Sequence, residues 1–138
     1  MKKPIGLTAI KLNKQNPNRK QEETAMTNKI MKNIDLASPL SLAALVTYQQ
    51  GQIVSRTLVQ NRAVSLTLFA FDTGEEISSH ESKGDAMVQI LDGTAKITIG
   101  DGIYQLSAGE TVVMPAGVPH ALEAVEPFKM LLTVVFPG

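Results

Sequence analysis

Residues Gly109 to His120 read GETVVMPAGVPH, and in twelve positions they set a turn, a β-branched run, a proline-pinned loop and a histidine. Pro115 and Pro119 hold their own φ near about −65°, so the loop ahead of His120 has few ways to move. The backbone therefore delivers that imidazole to a chosen place. The chain has only two histidines, and the other, His80, ends a similar segment, GEEISSH, which starts at Gly74. A chain that is sparing with histidine and places both after Gly-led turns is read as building a site.

Outward from that stretch, β-branched runs alternate with turn residues. Upstream lie QIVSRTLV (52–59), a turn at Gln60-Asn61-Arg62, AVSLTLFAF (63–71), and turns at Asp72-Thr73-Gly74 and Lys83-Gly84-Asp85. AMVQIL and TAKITI follow, and in the second Ala95, Ile97 and Ile99 alternate with Thr94, Lys96 and Thr98, the period of a half-buried strand. Asp92-Gly93 between them is the dipeptide that favours a type I′ turn, so a two-residue hairpin is expected there. Downstream come IYQL, a turn at Ser107-Ala108-Gly109, TVVM, HALEA and KMLLTVVF. About eight or nine short strands with closely spaced turns and no helices between them predict an antiparallel sandwich or barrel. Continuously apolar runs such as MLLTVVF predict strands covered on both faces, by a second sheet or another subunit. One short helix is expected before the strands, because Ser38-Pro39 and LSLAALVTYQQG supply a cap, a proline at the first helical position and a glycine stop at Gly51.

Composition bounds the function. A chain of 138 residues is read as one domain, able to bury roughly 65–70% of its unfolded surface in a single core. Without cysteine it has no disulfide or thiolate chemistry, which suits a cytoplasmic location. It has no tryptophan, and 13 basic residues balance 13 acidic ones, so no stacking platform or global field points to nucleic acid or membrane. Residues 1 to 25 carry six lysines and arginines against two glutamates, leaving the rest acidic by the same margin. Residues 1–33 are therefore expected to be a flexible basic leader, and residues 34–138 a single folded domain.

The spacing around the two histidines resembles the cupins, small jelly-roll barrels marked by G-x5-H-x-H-x3,4-E-x6-G and G-x5-P-x-G-x2-H-x3-N. Gly74, His80 and Gly93 stand in register with the first motif, and Gly109, Pro115, Gly117 and His120 with the second. The resemblance, over roughly residues 50 to 138, implies an all-β antiparallel double-stranded β-helix of the RmlC-like type. In metal-binding cupins the motifs imply three histidines and one glutamate converging inside the barrel. Here the second histidine position is Ser82, the glutamate position is Ala86 and the closing asparagine position is Ala124.

What remains is His80 and His120, either as ligands of a divalent metal (Zn, Fe, Ni, Mn or Cu) or as the polar end of a metal-free pocket. A bulge at Lys83-Gly84 would be needed to turn Asp85 inward as a replacement ligand. The candidate pocket comprises His80, Ser82, Asp85, Ala86, Val88, Met114, His120 and Leu122. Two function classes follow: a single-domain cupin that binds a small organic ligand with a reduced or absent metal site, or a metal-dependent enzyme of the dioxygenase, isomerase or decarboxylase type using both histidines. A homodimer is expected, with LVTY and MLLTVVF supplying the interface.

Overall fold

A computed structural model of the chain describes residues 30–138. The expected basic leader lies, up to residue 29, outside the described residues. The unit Asn33–Gly138 contains eight strands: β1 (Ile53–Gln60), β2 (Val64–Phe71), β3 (Glu76–His80), β4 (Asp85–Ile99), β5 (Gly102–Ser107), β6 (Thr111–Met114), β7 (His120–Glu123) and β8 (Phe128–Val135). Every pairing is antiparallel. One sheet runs β1-β2-β8-β4-β6 and the other β5-β4-β7-β3. This is the antiparallel barrel expected from the turn spacing, and the jelly-roll that the cupin resemblance implies.

The two sheets share β4, and here the sequence expectation fails. Asp92-Gly93 is not a hairpin turn. A single strand of 15 residues runs through it, pairing with β8 up to Gly93 and with β5 from Thr94. The register against β8 slips between Ile90 and Asp92, and Gly93 has φ +74°. A bulge with glycine in the left-handed region bends a strand from one sheet into the next. A Cβ on Gly93 would sit 2.0 Å from the Pro127 carbonyl oxygen, so the close approach of the two strands also requires glycine. The same dipeptide chemistry that starts a hairpin turns a barrel corner instead.

Alternation along the strands fills the space between the sheets. Ala86, Val88 and Ile90 on β4, Met130 and Val134 on β8, Ala95 and Ile97 beyond the corner, and Met114 and Leu122 form one buried cluster. Phe71 and Phe128 stack at its centre, 4.4 Å between ring centroids.

The short N-terminal helix is also absent. Leu42–Leu45 make a single 3-10 turn, and Ser41 gives it no side-chain cap. Two helical turns nucleate poorly in isolation, and this segment gains more by lying on a sheet. Leu58, Leu68 and Ala70, on the outer side of β1 and β2, are fully buried, as is Val46. Polar ties hold the segment down: Arg56 donates to the Leu45 carbonyl at 2.9 Å and Lys129 to the Ala43 carbonyl at 2.7 Å. Tyr48 donates to Asp92, and burial together with that bond holds the phenol above its ordinary pKa. Half of the expected LVTY interface is thus consumed within the chain.

Candidate functional site

His80 and His120 meet at one end of the barrel because β3 and β7 pair irregularly. Ile77 lies opposite Leu122 and His80 opposite His120, so two residues of β3, Ser78 and Ser79, span the place of Ala121 alone. In a regular strand, alternation from the half-buried Ile77 would send Ser79 inward and His80 outward. The extra residue reverses that and turns His80 toward its partner. Nothing in the hydrophobic pattern announced this bulge. The adjacent small hydroxyl residues were its one visible trace.

Two further contacts lock the rim. The Gly117 amide donates to the Ser82 carbonyl at 2.9 Å, and the Ala116 amide donates to Asp85 Oδ1 at 2.8 Å. The loop after β3 is thereby laced to the PAGVP loop that delivers His120.

The imidazole pair is close and differently exposed. Its Nε2 atoms are 3.1 Å apart and the rings stand edge to face at 70°. His120 is 3% exposed, whereas His80 faces solvent. Each Nδ1 lies against the carbonyl two residues before it, Ser78 for His80 at 3.0 Å and Val118 for His120 at 3.2 Å. A carbonyl oxygen only accepts, so each contact is a hydrogen bond in the tautomer that carries its proton on Nδ1. Burial lowers the His120 pKa below its ordinary value, the charge of His80 lowers it further, and the Val118 carbonyl opposes both.

The other expected pocket residues divide. Ala86, Val88, Met114 and Leu122 are buried in the apolar cluster between the sheets. The Ser82 hydroxyl accepts from the Gly84 amide at 3.2 Å, closing a local turn. Asp85 is exposed and held on the Ala116 amide, so the Lys83-Gly84 bulge that would have aimed it inward does not form.

These positions decide whether a divalent metal fits. Two nitrogens 3.1 Å apart match the span of neighbouring ligands on one ion, roughly 3.3 Å for tetrahedral bonds of about 2.0 Å. Spacing is therefore neutral on the question. The donor set is decisive: a catalytic zinc takes about three protein ligands, and no group of three histidine, cysteine, aspartate or glutamate side chains gathers anywhere among the described residues. Alanine stands at the glutamate position, and Asp85 is held on the Ala116 amide. The residues present do not make a resident metal centre.

A 51% identical conserved protein of unknown function from Streptococcus pyogenes superposes on this chain with a TM-score of 0.77, covering 79% of this chain and 96% of that one. A cupin superfamily protein from Desulfitobacterium hafniense, 34% identical, gives a TM-score of 0.74 over 78% of this chain and 98% of its own. An uncharacterised protein of Streptomyces coelicolor is 30% identical over 79 residues, 57% of this chain and 75% of that protein. The family model described as the cupin domain matches residues 67–136, about half of the chain, and this chain belongs to the cupin family.

Proposed function

We propose that this protein binds a small organic ligand in a pocket centred on His80 and His120, at the end of its barrel, with its metal site reduced or absent. One observation carries the reading: two imidazoles are brought Nε2 to Nε2 at 3.1 Å by a bulge on one strand and a proline-pinned loop on another. Ala86, Met114 and Leu122 lie in the apolar cluster behind them, which suits a largely apolar ligand with one polar end that accepts or donates to an imidazole. The metal-dependent enzyme is the weaker reading because its third and fourth ligands are missing.

The absence of cysteine supports a cytoplasmic setting, and no helix of the described residues is long and apolar enough to cross a membrane. A homodimer is proposed on the strength of Val113 and Val135, exposed on the outer side of the sheet that holds β8. Sedimentation finding a monomer at micromolar concentration would remove it.

The ligand reading is tested by adding small carboxylates, ketones and phenols, one at a time, to 15N-labelled protein. Saturable shifts of the His80 and His120 amides, lost in His120→Ala, are expected for at least one class. Shifts that survive the substitution, or that fall elsewhere on the barrel, would contradict it.

A further inference from the structure

An unpaired strand edge is a row of bare amides and carbonyls that another strand can use, and folded chains ordinarily guard it. Three edges of this barrel are guarded. β1 carries Arg56 and a register shift between Thr57 and Val59, and its Thr57 carbonyl accepts from the Asn33 side chain at 2.8 Å. β3 is bulged and carries Glu76 and His80. β6 is only four residues long. β5 has none of these protections: GIYQLS holds no charge and no proline, and its register with β4 is unbroken. Among the described residues no strand takes its other side.

Period two fixes which backbone groups face outward. Ser107 turns away from β4, because its amide donates to Glu110 Oε1 at 2.8 Å and its carbonyl accepts from the Glu110 amide at 2.9 Å. Alternation aims the amides and carbonyls of Gln105 and Ile103 the same way. Ile103 is 65% exposed and Tyr104 48%. The Tyr104 ring folds back over Gly102, where a Cβ would lie 2.8 Å from two of its carbons, and so leaves the edge open.

We propose that β5 adds to β5 of a second copy of this chain, antiparallel about a two-fold axis at Tyr104, joining the two β5-β4-β7-β3 sheets into one. In that register Ile103 stands opposite Gln105 of the second copy, and Gln105 opposite its Ile103. Both are hydrogen-bonded pairs, so each outward amide and carbonyl of the stretch finds a partner. A shift by one residue sets these groups against Tyr104, whose own are turned to β4. A shift by two sets Ile103 against Ser107, already held by Glu110, or Gln105 against Asp101 in the turn. The stretch is uncharged, so the two-fold axis brings no like charges together, and this self-match favours a second copy over a foreign peptide. The contact goes beyond the homodimer proposed from Val113 and Val135, since it uses neither residue and does not depend on the ligand site.

The absence of cysteine makes Tyr104→Cys a clean trap. Across the axis, residue 104 faces itself in a non-bonded pair with Cα atoms about 4.5 Å apart, within the roughly 4.4–6.8 Å that a disulfide spans. Mild oxidation at micromolar concentration should link two chains, and Val113→Cys probes the other face separately. Sedimentation of the untagged parent should show a dimer or larger. Gln105→Pro removes an outward amide and leaves the β4 ladder intact, so it should halve that mass without lowering the melting temperature. Ile103→Lys, at an exposed position, should do the same if the proline prevents folding. A monomeric parent, or an unchanged mass in either folded variant, would overturn the proposal. Linkage through Val113→Cys with none through Tyr104→Cys would also overturn it, while leaving the sheet-face dimer standing.

Discussion

Gly93→Ala tests the barrel corner on which the whole site depends. The substitution meets two separate costs. At φ +74° an alanine sits in the left-handed region, at about 1–2 kcal/mol. Its Cβ would also lie 2.0 Å from the Pro127 carbonyl oxygen and 2.9 Å from Phe128 Cα, both backbone atoms, so the start of β8 must move. Phe128 is fully buried and stacked on Phe71, and forcing such a core apart costs about 1–3 kcal/mol. The sum, about 2–5 kcal/mol, is a large share of the roughly 5–15 kcal/mol that holds a domain together. At about 4 °C per kcal/mol for a domain of this size, the melting temperature should fall by about 8–20 °C. Gly109→Ala is the control that separates the terms: φ is +92° there, yet nothing lies within 4 Å of the added carbon. It should lose only the left-handed cost, about 1–2 kcal/mol. Melting curves by circular dichroism and urea titrations measure both. If the two variants melt together, the close approach at Pro127 is not what holds β4 in two sheets, and the reasoning fails.

Other perturbations reach the rim and the N-terminal segment. Because the folded state lowers the His120 pKa, the unfolded chain binds more protons as pH falls through the ordinary imidazole value of about 6.5. Stability conferred by the neutral ring is therefore present above that value and lost toward and below the lowered one. Urea midpoints between about pH 5 and 7.5 should decline on acidification, and His120→Gln should flatten that slope. Asp85→Ala should cost about 1 kcal/mol through the lost bond to the Ala116 amide, and it should leave metal content untouched; a change in metal content would restore Asp85 as a ligand. Tyr48→Phe should lose about 0.5–1.5 kcal/mol with the Asp92 bond without shifting either imidazole signal, because the tie lies on the outer side of the other sheet.

How far the sequence reaches differs from place to place, for physical reasons. Thr111–Met114 and the loop to His120 are legible because β-branched residues, glycine and proline each restrict their own backbone. Asp92-Gly93 is not, since a type I′ turn and a strand-bending bulge both ask for positive φ at the glycine. Which one forms depends on β8, some 35 residues away in the chain. The Ser38-Pro39 start reads as a helix cap because cap chemistry is local, whereas the burial of Val46 is tertiary. Asp85 was ambiguous for the same reason: its direction depends on where β4 begins, and the Ala116 amide that holds it belongs to another loop. The meeting of His80 with His120 followed from motif spacing, but the bulge that aims His80 did not, because alternation read from Ile77 predicts the opposite face.

The proposed ligand site uses His80 and His120 without a resident metal, and metal content measured by mass spectrometry on untagged protein tests that most directly. The prediction is far less than one equivalent of any transition metal in the parent, even after incubation with zinc, iron, nickel, manganese or copper, and no further loss in His80→Ala or His120→Ala. About one equivalent in the parent, absent from both variants, would contradict it.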